Sequence, residues 1–97
     1  MRKVKTTRWN AAEHLSTDED CRLFLEACFE EAGDDAAFIA KALGTVARAK
    51  GMMQLAKDTG LSREALYKAL SEDGNPTLST LLKVTRALGM RLTTAPV

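Results

Sequence analysis

Residues 52–70 constrain the fold most, because they read MMQLAKDTGLSREALYKAL and divide into two short helical stretches around one glycine. Gly60 can take the positive φ that a tight turn needs, and Leu61 and Leu66 follow it where they would seat a second helix. Ser62 is placed to cap that second helix, since its hydroxyl can accept a hydrogen bond from a backbone N–H of the first turn. The spacing therefore predicts a helix-turn-helix.

The second helix of this motif would present four polar side chains on its outer face. Arg63, Glu64, Tyr67 and Lys68 recur at i, i+1, i+4 and i+5, a spacing that directs side chains into a DNA major groove. Arg63 can pair with guanine, Glu64 can accept from cytosine, and Tyr67 can reach a thymine methyl group or a phosphate. The structural alternative is that Arg63 and Lys68 are surface charges that pair with Glu64 and Glu72, the latter at i+4 from Lys68.

Further polar residues around the motif are predicted to hold the phosphate backbone. Such contacts fix the register of a protein on DNA but do not read its sequence. The complete predicted DNA-binding set is Lys50, Gln54, Lys57, Ser62, Arg63, Glu64, Tyr67, Lys68 and Asn75.

Charge is unevenly distributed along the chain, although the formal net charge is only +1. Residues 1–8 carry four bases and no acid, residues 9–35 carry nine acids and one base, and residues 36–97 carry nine bases and four acids. The basic part suits phosphate, and the acidic part suits a basic partner. The alternative is that these charges are solvated helix surface.

Composition places the chain among soluble globular proteins, with 97 residues, 45% hydrophobic and 28% charged. We expect one domain. Residues 1–33 would form an N-terminal extension with a helix, residues 34–89 a DNA-binding core, and residues 90–97 a C-terminal strand. Two cysteines and the lack of a signal-peptide pattern favour the cytoplasm and no membrane. With one histidine and no glycine-rich phosphate loop, we expect no enzyme activity, no metal and no cofactor.

Helical periodicity covers most of the chain outside the motif. A helix is expected from about Thr17 to Ala32, with a buried stripe that includes Cys28 and Phe29, and another from Asp34 or Asp35 to Gly51. Gly44 lies inside the helix that ends at Gly51, and a glycine at this position predicts that another helix approaches closely there. The last helix would be capped by Thr77, with a buried stripe of Leu78, Leu81, Leu82, Thr85 and Leu88.

The two ends of the chain carry one feature each. Residues 90–97 alternate in polarity and predict a short β-strand, which needs a partner strand, most simply from a second copy across a two-fold axis. Trp9 lies in an otherwise polar segment. It would either anchor that segment on a groove of the core or belong to a surface for a partner.

The chain resembles the Cro/repressor-type helix-turn-helix superfamily over LAKDTGLSREALYKALSEDGNPTLSTLLKVTRALGMRL. More narrowly, it resembles the HigA-like probable addiction-module antidote family through TTRWNAAEHL, ALGTVARAKGM, GLSREALYKAL, GNPTLSTLLKV and ALGMRL. The resemblance implies an all-α, five-helix domain, a homodimer on a palindromic operator, autorepression, and a RelE-like toxin neutralised by direct contact. One departure is Met52, where relatives often carry a phosphate-binding glutamine; Gln54 lies two residues later.

Two functions follow from these patterns. In the first, the protein is the antitoxin and autorepressor of a type II toxin-antitoxin module, and the acidic segment from Glu13 to Asp35, with Trp9, forms the toxin surface. In the second, it is a stand-alone transcriptional regulator with no toxin partner. A small basic reading frame adjacent to the gene would favour the first. A helical protein-interaction module without a DNA partner is a third possibility.

Overall fold

A computed structural model describes residues 15–71 and 73–97 of the chain. The described part contains five helices and no strand: α1 (Asp18–Ala32), α2 (Ala36–Lys50), α3 (Met52–Thr59), α4 (Arg63–Ala69) and α5 (Leu78–Ala87). The all-helical class and the five helices expected from the sequence are confirmed. None of the helices in the described ranges is long and apolar enough to cross a membrane. Trp9 and His14 lie outside the described residues.

Polar side chains start four of the five helices. Thr17 caps α1 in a capping box with Asp20, and Asp35 caps α2 by accepting from the backbone N–H of Phe38. Ser62 and Thr77 cap α4 and α5 in the same way. These caps satisfy backbone N–H groups that have no partner inside the helix, so the helix starts are encoded locally in the sequence.

Helix α2 is the centre of the core, with Val46 and Ala47 fully buried. Helix α1 packs on α2, α2 packs on α3, and both α4 and α5 pack on α3. The largest fully buried side chains, Val46, Leu66 and Val84, come from α2, α4 and α5. Helix α4 is therefore anchored in the same core as the other helices.

Gly44 confirms the close approach expected inside α2. A Cβ atom built on Gly44 would overlap the carbonyl oxygen of Leu70, the residue that ends α4. The glycine thus lets the end of α4 contact the backbone of α2 directly, a contact that any side chain would block.

The expected C-terminal strand is absent from the described residues. The chain leaves α5 through a tight turn in which the N–H of Met90 donates to Thr85 O over 2.8 Å. Residues 91–97 are then exposed and form no backbone pairing with another described segment. The physical reason is that a strand requires a neighbouring strand, and the described helices offer none.

Three residues expected in buried stripes are exposed instead. Phe29 is 45% exposed, Leu78 66% and Leu82 45%. The predicted stripes were too wide, because α1 and α5 each contact the core along a narrow side. Cys21, Leu25 and Cys28 fill that side of α1, and Val84, Thr85 and Leu88 that of α5. The exposed apolar residues therefore lie beside the core and face solvent.

Candidate DNA-binding surface

The turn between α3 and α4 has the conformation expected from Gly60. This residue has φ +77°, in the left-handed region that favours glycine, and its N–H donates to Ala56 O over 2.9 Å. Thr59 adds a contact that sequence reasoning missed: its hydroxyl donates to Leu55 O over 2.8 Å and accepts from the N–H of Leu61 over 3.2 Å. A threonine directly before the turn glycine was the available signal. Together these bonds fix the path from α3 to α4.

The seven-residue helix α4 is held by its cap and by one buried side chain. The Ser62 hydroxyl accepts from the N–H of Ala65 over 3.0 Å. Leu66 is fully buried, which fixes the rotation of the helix about its axis. Ala65, which precedes Leu66, and Tyr67 and Lys68, which follow it, must then face outward because of the helical period.

The outer side of α4 forms a shallow, open depression. Its lining consists of Ser62, Arg63, Glu64, Ala65, Tyr67 and Lys68. Five of the nine residues in the predicted DNA-binding set are thus brought together on one helix and its cap. Tyr67 is 45% exposed, so the aromatic residue of this surface is available for contact.

The charges of α4 are suited to both the helix and a polyanion. Glu64 lies in the first turn and Lys68 in the last, which matches the helix dipole. Neither Arg63 nor Lys68 forms an ion pair with another described residue. The alternative in which these two bases serve as surface pairs for Glu64 therefore has no support in the described structure. Glu72, the other nearby acid, is outside it.

The other four residues of the predicted set lie away from the depression. Lys57 is exposed on α3, and the Gln54 side-chain N–H donates to Asp58 over 2.9 Å on the same helix. Lys50, at the end of α2, forms an ion pair with Asp18 at the start of α1. Asn75 lies at a different concavity, between α1, α2 and α5. Their assignment to DNA stays a prediction, with Lys50 and Gln54 already engaged by acids.

Comparison with known proteins gives two matches. The family model described as "Probable addiction module antidote protein" matches residues 5–96. The chain is also 47% identical to an uncharacterized protein of Haemophilus influenzae over 83 residues, which cover 86% of this chain and 84% of that protein. No solved structure matched the chain.

Proposed function

The chain belongs to the family of probable addiction module antidote proteins, and on this basis we propose that it is a DNA-binding antitoxin of a type II toxin-antitoxin module. It binds a palindromic operator, represses its own operon, and neutralises a RelE-like toxin by direct contact. It acts by binding and not by catalysis, in the cytoplasm and on the nucleoid.

The outer face of α4 is the observation that carries the DNA-binding part of the proposal. Arg63, Glu64, Tyr67 and Lys68 are exposed together on a helix whose opposite side is locked into the core by Leu66. Arginine and glutamate supply hydrogen bonds that distinguish guanine and cytosine, and lysine supplies a phosphate contact. A helix of this kind, preceded by a tight turn and a supporting helix, fits the major groove.

A second copy of the chain is part of the proposal, because a palindromic operator is matched by a two-fold symmetric protein. On α5, Leu78 and Leu82 are exposed by 66% and 45% and lie one turn apart on the same side of the helix. Two apolar side chains of this size favour burial against another surface. We place the contact between the two copies at this pair.

Operator binding by charge-matched variants tests the proposal. The double variant Arg63→Ala/Lys68→Ala is compared with Lys41→Ala/Arg48→Ala, which removes two exposed bases from α2. The probe is a DNA fragment from upstream of the gene, and the measurement is fluorescence anisotropy over a series of salt concentrations. We expect at least about a tenfold loss of affinity for the α4 variant and a smaller loss for the control. Unchanged affinity of the α4 variant at moderate salt would remove this helix from the interface.

The second candidate function is a stand-alone transcriptional regulator with the same operator surface and no toxin. Family membership favours the antitoxin. The two functions differ in whether the gene has a toxin gene beside it whose growth inhibition this protein relieves on co-expression. Continued growth arrest during co-expression would favour the stand-alone regulator.

A further inference from the structure

An apolar groove lies on the side of the molecule formed by α1, α2, α5 and residues 90–93. We call it the α1–α5 groove; its volume is about 580 Å³. Ile39 and Leu43 of α2 are buried beneath it, while Phe29 on α1 and Leu92 in the tail are 45% and 38% exposed at its edges. Leaving large apolar side chains in water forgoes burial energy, and a contiguous apolar surface of this kind is typical of an interaction site.

The groove is bordered by the most acidic part of the described chain. Residues 18–35 carry eight acids and one base, Arg22. That base is already neutralised, because its guanidinium bonds to Glu19 over 2.8 Å and to Glu26 over 3.4 Å. The Arg22 hydrogen bond and charge also hold the pKa of Glu19 below its usual value, so this carboxylate stays ionised. Glu26 and Asp34 line the groove itself, and so do the bases Arg22 and Arg91. The excess of negative charge therefore comes from the rest of residues 18–35.

We infer that the α1–α5 groove binds a basic protein segment that inserts an apolar side chain between Phe29 and Leu92. Lysine or arginine residues of the segment lie against Glu26 and Asp34. This inference rests on the proposed function, and it identifies the bound segment as part of the toxin. Charge favours this occupant over an isologous contact with a second copy of the chain, which would bring a second acidic α1 to an acidic rim.

The groove and the candidate DNA-binding surface have no described residue in common. None of the described residues that line the groove belongs to α3 or α4. Helix α1 packs on α2, whereas α4 packs on α3. A protein bound in the groove therefore leaves the outer face of α4 accessible, and variants of the two surfaces can be tested separately.

Two groove variants, each with a matched control, test the inference. Phe29→Ser removes the exposed ring at the groove edge, and its control Leu23→Ser removes a similarly exposed side chain, 48% exposed, from α1 outside the groove lining. Glu26→Lys/Asp34→Lys reverses the charge of the rim, and its control Asp58→Lys/Asp73→Lys reverses two exposed acids outside the groove lining. All of these positions are exposed, so the fold should persist, which circular dichroism checks for every variant.

The probe is the purified product of the reading frame adjacent to the gene, titrated by isothermal calorimetry against the full chain. We expect both groove variants to bind at least about tenfold more weakly than the wild type, with both controls within about twofold. If the groove variants bind like the wild type, the groove assignment is wrong and the proposed function stands. If the wild type itself does not bind the probe, the toxin partnership fails and the inference fails with it. Loss of dimer with unchanged probe binding would assign the groove to a second copy and overturn the inference.

Discussion

Gly44 and Leu70 form a backbone-to-backbone contact that joins the middle of α2 to the end of α4. The Cα atom of Gly44 faces the carbonyl oxygen of Leu70, with no room for a Cβ atom between them. Because Leu70 is also 3% exposed and part of the core, this contact fixes the distance at which the helix-turn-helix sits on the central helix.

The first prediction concerns this contact. Gly44→Ala should destabilise the fold by roughly 1–3 kcal/mol, because the overlap involves a backbone oxygen that cannot change rotamer. That loss would outweigh the gain of about 1 kcal/mol that alanine gives inside a helix. The free energy of unfolding is measured by urea denaturation. Thr45→Ala, at the neighbouring half-buried position, is the control and should change stability much less. A more stable Gly44→Ala protein would contradict the close contact.

The N-caps of α4 and α5 offer a matched pair for separating stability from DNA binding. Ser62 and Thr77 each accept a backbone N–H three residues later, over 3.0 and 3.1 Å. Ser62→Ala and Thr77→Ala should each lower the free energy of unfolding by about 1 kcal/mol. Only Ser62→Ala should also weaken operator binding, because it loosens the start of α4. Equal operator affinity for the two variants would show that the order of the α4 N-terminus does not contribute to binding.

The exposed leucine pair on α5 predicts the oligomeric state. Leu78→Lys/Leu82→Lys should produce a monomer, since two charged side chains at a two-fold seam repel their copies in the partner. Both positions are exposed, so the monomer should keep its helical circular dichroism spectrum. Sedimentation velocity gives the mass, and Leu23→Lys on α1 is the control. A dimer that persists in the double variant would place the seam elsewhere.

Thiol reactivity reports on burial in α1. Cys21 is 2% exposed, and burial raises the pKa of its thiol above the usual value. The thiolate is the reactive form of cysteine, so at a given pH the folded protein contains less Cys21 thiolate than the unfolded chain. The labelling rate of the folded protein therefore begins to rise at a higher pH than that of the unfolded chain. In a Cys28→Ala background, Ellman's reagent should modify Cys21 slowly in buffer and rapidly in urea. Rapid labelling of the folded protein near neutral pH would contradict this packing.

Local chemistry explains why much of the fold and of the candidate site was predictable. Helix starts depend on side chains such as Thr17 and Ser62, which bond to backbone groups only three residues away. The turn depends on the left-handed conformation of Gly60 alone. The outward direction of Glu64 and Lys68, which are each two residues from Leu66, then follows from helical period once Leu66 is recognised as the buried residue. Arg63 is exposed because it is the first residue of the helix. Each of these features is set within a few residues of sequence.

Features that depend on contacts between distant parts of the chain could not be predicted in this way. Helical periodicity places Phe29, Leu78 and Leu82 in the predicted buried stripes. The width of the buried side of α1 and α5, however, depends on how these helices pack in the core. Lys50 is a suitable phosphate ligand by composition, yet the fold places Asp18, which is 32 residues away in sequence, next to its ammonium group. The expected strand is not seen in the described residues for the same kind of reason, since its formation requires a second strand, most simply from another copy.

The sequence by itself determined the class of the protein, the helix boundaries, the turn of the helix-turn-helix and the residues on the outer face of α4, because all of these follow from local hydrogen bonding and from helical period. Only the tertiary structure decided which apolar residues remain exposed, which bases are already paired, and where the α1–α5 groove opens. The physical reason is that burial and ion pairing depend on which elements meet in space, and residues far apart in the chain make those contacts.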